Sequence, residues 1–72
     1  MRESDFIDTI LSVSMTTREE AAAMLDRPVQ DAGYDSLDFE LLRTALEKRL
    51  GKPISAALWQ EAPTMRHLMD RI

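Results

Sequence analysis

Apolar residues recur along most of the chain at the three- and four-residue spacing of a helix, and nowhere at the alternation of a strand. Phe6, Ile7, Ile10, Leu11 and Met15 make one such face. Ser4 is a suitable N-cap for it, with Asp5 in the first turn near the positive end of the helix dipole. This first helix is expected to end around Ser14 to Thr16, where hydroxyl side chains compete with the backbone for hydrogen bonds. Thr17-Arg18-Glu19-Glu20 then reads as a capping box, a hydroxyl followed three residues on by a carboxylate. The helix it opens runs through Ala21 to Leu25. Pro28 ends it by disfavouring the α conformation at Arg27.

Residues 26–35 carry Pro28, Asp31 and Gly33 with a single apolar anchor, Val29, and predict a loop. A loop of that length in so short a chain is more often functional than connective. The strongest helix follows, from Ser36 or Leu37 to Leu50, without Gly or Pro. Leu37, Leu41, Leu42, Ala45, Leu46 and Leu50 form a broad apolar stripe on it, and Arg43 and Glu47 are spaced for an i,i+4 ion pair. Gly51 stands just past its end, with Lys48 and Arg49 in the last turn and Pro53 beyond. Ile54 begins a connector, Ala56 to Trp59 suit a brief helical turn, and Thr64 caps a last short helix with Met65, Leu68, Met69 and Ile72 facing inwards. No internal repeat interrupts the pattern. It predicts an all-α fold in a single domain over residues 1–72: a small three- to four-helix bundle with a long loop before its second main helix.

Composition narrows what such a bundle can be. A chain of 72 residues buries only about 60% of its unfolded surface. With no cysteine and no Cys/His cluster, neither disulfides nor a structural metal can staple it. Packed helices must suffice, and Met15, Met24, Met65 and Met69 are expected as adaptable core filling. The formal charge of −4 is unevenly spread. Residues 1–36 hold three Arg against eight acids, whereas residues 37–72 hold six Lys and Arg against five. Such a chain is a poor nucleic-acid ligand and better suited to basic patches on other proteins. No apolar run approaches the ~20 residues of a membrane span, and Met1-Arg2-Glu3-Ser4-Asp5 does not open a signal peptide. The expectation is a soluble, cytoplasmic monomer with no membrane partner, which the absence of cysteine fits.

The stretch that can carry chemistry is Asp31-Ala32-Gly33-Tyr34-Asp35-Ser36-Leu37-Asp38. It reads as a loop that turns at Gly33 and delivers Ser36 to the N-terminus of the long helix. There the first backbone N–H groups lack internal partners and the dipole adds positive charge, so a phosphodiester built on Ser36 would sit where an anion is favoured. Asp35 adds negative charge just outside the helix, available to a metal ion or to a basic residue of a visiting enzyme. The plainest alternative makes Ser36 an ordinary N-cap. A serine-hydrolase reading fails, because there is no strand before the serine, no second Gly for a nucleophile elbow, and a single histidine, His67, which is expected at the surface or its boundary.

Gly33-Tyr34-Asp35-Ser36-Leu37 matches the Gly-x-Asp-Ser-Leu mark of the acyl carrier protein family, which the chain resembles over residues 25–72. Asp38 and Ala45-Leu46-Glu47 are similar to carriers of the fatty-acid type. Ile54, the run Leu58-Trp59-Gln60-Glu61-Ala62-Pro63-Thr64 and Leu68 look more like carrier domains of polyketide and peptide synthetases. The resemblance implies that a phosphopantetheinyl transferase moves 4′-phosphopantetheine from coenzyme A onto Ser36, with Asp35 and Gly33 supporting the motif. It further implies a shuttle without catalytic residues or metal, whose arm holds acyl or aminoacyl thioesters for ligase or adenylation, ketosynthase and acyltransferase partners. By the same resemblance those partners dock on Leu37, Asp38, Glu40 and Leu41. Two departures stand out. Glu40 and Leu41 are exchanged relative to the usual order, and Asp38, Glu40 and Glu47 are balanced by Arg43, Lys48 and Arg49 in a helix that is commonly acidic. The mixture favours a free-standing carrier of a specialised pathway. The alternative from another class is a protein-binding helical module with Ser36 unmodified. Tyr34 and Phe39 are open to contact with a bound acyl chain or a partner, but such residues more often simply pack a loop.

Overall fold

The computed structural model describes residues 1–28 and 35–72, apart from the Ser36 side chain. Among these residues five helices follow one another: α1 (Glu3–Val13), α2 (Arg18–Met24), α3 (Ser36–Leu50), α4 (Ala56–Glu61) and α5 (Met65–Arg71). Among the described residues there is no β-strand, and Pro28 and Thr64 form an isolated antiparallel bridge. The all-α bundle expected from the pattern is what forms.

The core takes Phe6, Ile7 and Ile10 from α1, Ala21 from α2, Leu42 and Leu46 from α3, and Met65, Leu68 and Met69 from α5. Leu25, Ile54 and Ala62, from the connections, join it. α1 packs against both α2 and α3. The buried hydroxyl of Thr9 is satisfied twice, donating to the Asp5 carbonyl at 2.8 Å and accepting from Arg49 Nη1 at 3.1 Å. Burial without such partners is costly, and this pair also ties α1 to the end of α3.

Several local expectations shift. Ser4 is not the cap of α1: the helix already starts at Glu3, its N-cap is Arg2 without a side-chain hydrogen bond, and the Phe6 amide donates to the Arg2 carbonyl at 3.0 Å. Met15 is not on the apolar face either. The chain is extended at Ser14, so helical spacing no longer applies one residue later and Met15 is fully exposed. Thr17 caps α2 by accepting from the Glu20 amide at 3.1 Å, whereas the Glu20 carboxylate turns to the Thr16 hydroxyl. The anticipated Arg43–Glu47 pair does not form. Arg43 meets Glu40 at 3.5 Å, and Glu47 Oε2 accepts the Ile54 amide at 2.7 Å, holding the turn after α3.

Gly51 ends α3 in the left-handed region, φ 73°, with its amide on the Glu47 carbonyl. Ser55 caps α4 and Thr64 caps α5, the latter accepting from the His67 amide at 3.1 Å. His67 itself is half-buried at the boundary. Of the four methionines expected in the core, Met65 and Met69 are buried and Met24 is half-buried.

Candidate functional site

The start of α3 is built by its own sequence. Asp35, in extended conformation, is the N-cap, and its Oδ1 accepts the Asp38 amide at 2.8 Å. Asp38 returns the bond, its Oδ2 accepting the Asp35 amide at 3.3 Å. This reciprocal capping box satisfies two backbone donors with two carboxylates at the positive end of the dipole. Ser36 is therefore not the cap, and the plainest reading of it as an ordinary N-cap serine falls. It is the first residue of the helix. Asp35 likewise does more than supply loose charge, since one of its oxygens is committed to the backbone.

The expected docking residues divide by position. Leu37 and Leu41 remain exposed, at 64% and 46%, although the pattern put them in the apolar stripe. With 3.6 residues per turn, Leu41 points about 100° away from Leu42, and Leu42 with Leu46 takes the buried face. Glu40 is exposed and paired with Arg43, and half-buried Asp38 is absorbed into the cap. Leu37, Glu40 and Leu41 thus share the exposed side of the first turns. Gly33 and Tyr34 lie outside the described residues.

Behind that face, Phe39 sets its ring edge-on to Trp59 of α4, centroids 5.9 Å apart and planes at 83°. Phe39, Glu40, Arg43, Trp59 and Gln60 line a groove between α3 and α4. The sequence singled out Phe39 but missed Arg43 and Gln60. The only signal was that positions 39, 40 and 43 lie within one helical turn of each other.

The chain just after α2 is tied to α5. Arg66 of α5 donates from Nε to Asp26 at 2.6 Å and pairs with Glu3 at 2.9 Å, and its amide donates to the Leu25 carbonyl at 2.9 Å. The Arg66 hydrogen bond holds the Asp26 carboxyl below the usual carboxylate range, and the two acids raise the Arg66 guanidinium.

A family model for the phosphopantetheine attachment site matches residues 8–72. The chain belongs to that family. Comparison with curated proteins and with solved structures gave no match. In the phosphopantetheine attachment family the domain is the site where 4′-phosphopantetheine is covalently joined, and this carrier is of that kind. Its residues fit the group. The amides of Ser36 and Leu37 have no acceptor within α3 by helix geometry, and the dipole favours an anion beside them. The capping box takes the third amide, Asp38. Family membership also implies work with transferases and biosynthetic enzymes. No helix among the described residues is long and apolar enough to cross a membrane, and no group of three or more metal-ligating side chains occurs among them.

Proposed function

We propose that Ser36 is the attachment residue and that this non-catalytic, cytoplasmic domain carries acyl or aminoacyl groups between the enzymes of a specialised biosynthetic pathway. When bound, the arm supplies the terminal thiol that the chain lacks and holds cargo as a thioester. The observation that carries the reading is a serine at the first helical position, inside a family match, with its preceding aspartate locked as the cap. In the attachment step the Ser36 hydroxyl oxygen attacks the phosphorus next to pantetheine in coenzyme A. The pyrophosphate bond breaks, adenosine bisphosphate leaves, and the hydroxyl proton passes to a base of the transferase. The positive end of α3 favours the phosphodiester that results. Leu37 and Leu41 offer partners an apolar contact, and Glu40 a charge that the capping box does not use.

Co-expression with a broad-range phosphopantetheinyl transferase tests this by intact mass. A gain of about 340 Da is expected for the wild type and none for Ser36→Ala. No gain in the wild type, or an equal gain in Ser36→Ala, overturns the assignment and leaves the unmodified binding module as the better description.

A further inference from the structure

A groove of about 420 Å³ lies between α1 and α3, lined by Thr9 and Ser12 on one side and by Ala45, Lys48 and Arg49 on the other. Lys48 stands about 18 Å along the helix from Ser36. The lining holds two cations and no carboxylate, in a chain of net charge −4. Both hydroxyls are spent within α1: Thr9 donates to the Asp5 carbonyl at 2.8 Å, and Ser12 to the Thr9 carbonyl at 2.6 Å. Arg49 is held in place, its Nη1 donating to the Asp5 carbonyl at 3.3 Å and to Thr9 Oγ1 at 3.1 Å. Asp5 offsets part of its charge from 3.8 Å, and Asp8, the next acid on α1, pairs with Arg18. Lys48 is exposed and forms no ion pair among the described residues.

What remains for a visitor is a free ammonium beside a fixed guanidinium, on an open groove. The dipole of α3 favours cations in its last turn, yet it calls for no groove beside them. Two cations are too few to neutralise the phosphates of a nucleic acid or to hold an anionic membrane, where about four or more act together. The net charge of −4 repels both at long range. With both hydroxyl hydrogens committed, little is left to enclose a free anion. A carboxylate standing on another protein fits better, because it brings its own surface to cover the groove. Lys48 is also within reach of such a partner. It follows Leu37 by eleven residues, so the two lie within about 20° of each other around the helix, on the side where Leu37 and Leu41 are exposed.

We propose that the groove between α1 and α3 is a docking site for an acidic segment of a partner protein, whose carboxylates meet Lys48 and Arg49. Its polarity is opposite to that of the start of α3, where Asp35, Asp38 and Glu40 stand. The contact depends on neither Ser36 nor its modification. Two exposed ion pairs favour an acidic segment over a neutral one by roughly threefold to tenfold, an advantage that salt reduces.

The test titrates the full, unmodified chain with a helical peptide bearing leucines along one face and a pair of glutamates at one end, followed by NMR. Two control peptides carry glutamine or lysine in place of the glutamates. The expected result is that signals of Ser12, Ala45 and the Lys48 side chain move with the glutamate peptide. That peptide should bind roughly threefold to tenfold tighter than the glutamine one, with the lysine peptide weakest. Lys48→Glu should abolish the preference while remaining as helical as the wild type. Groove signals that stay still, equal affinity for the glutamate and glutamine peptides, or a preference that survives in Lys48→Glu overturns the proposal. An equal response of the same signals to inorganic phosphate overturns it in favour of a free-anion site, and to phosphatidylglycerol vesicles in favour of a membrane contact. The comparison of peptides on the wild type stands even if the variant fails to fold. Ser36→Ala should bind the glutamate peptide as the wild type does, so failure here leaves the attachment assignment intact, and a chain that takes no arm leaves this docking site intact.

Discussion

Between Asp35 and Asp38 two carboxylates and two amides close on one another, and the residue they enclose first is Ser36. Removing the cap should therefore be felt at the serine. Asp35→Ala is expected to cost about 1 kcal/mol of stability, read by urea denaturation. It should also slow modification of Ser36 by more than that loss of folded protein explains, because the first turn frays. A modification rate matching the wild type in the folded variant would show that the cap does not position the serine. The motif itself was legible in the chain, since Gly33-Tyr34-Asp35-Ser36-Leu37 needs no structure to be seen. Which of Asp35 and Ser36 caps the helix was not legible. Both are good N-caps, and only the hydrogen bonds at 2.8 and 3.3 Å decide between them.

On the scale of single elements, α3 separates docking from stability. Asp38 and Glu40 were equivalent acids on the page of the sequence, but Asp38 is part of the cap and Glu40 is not. Glu40→Lys is expected to leave melting nearly unchanged while weakening at least one partner enzyme, measured as a rise in KM for the carrier. Asp38→Lys should lower both partner affinity and stability. Unchanged kinetics for Glu40→Lys with every partner would remove α3 from the docking surface. At the other end, Gly51 adopts a conformation that L side chains rarely take, although no neighbour lies within 4 Å of a Cβ there. Gly51→Ala should cost about 1 kcal/mol through backbone strain alone, and a neutral result in denaturation would show that the last turn can unwind freely.

Taken whole, the molecule depends on few large residues. Leu46 is completely buried where α3 meets the core, and Leu46→Ala should cost about 2–5 kcal/mol, enough to unfold much of so small a domain. A urea midpoint near that of the wild type would contradict this. The Arg66 clamp gives the fold a pH dependence of known sign. Asp26 has a lower pKa in the folded chain than in the unfolded one. Its contribution is therefore complete above about pH 4 and is lost as pH falls through the folded value. Asp26→Asn should melt below the wild type at neutral pH, and the gap should close in acid. A gap that persists unchanged at low pH would mean that the clamp acts by some route other than charge.

Sequence alone determined the all-α fold, the long helix from Ser36 to Leu50, the caps Thr17 and Thr64, the stop at Gly51 and the serine motif. Each of these is set within a few residues, by propensity, hydrogen-bonding side chains or backbone freedom. Tertiary structure decided what depends on distant partners. It chose Leu42 and Leu46 over Leu37 and Leu41 for the core, turned Arg43 from Glu47 to Glu40, left Met15 in solvent, and brought Asp26 and Glu3 to Arg66. It also set Trp59 edge-on against Phe39. A stripe of five leucines and an alanine is wider than the face one neighbour can cover, so only the arrival of α1 settles which of them are buried.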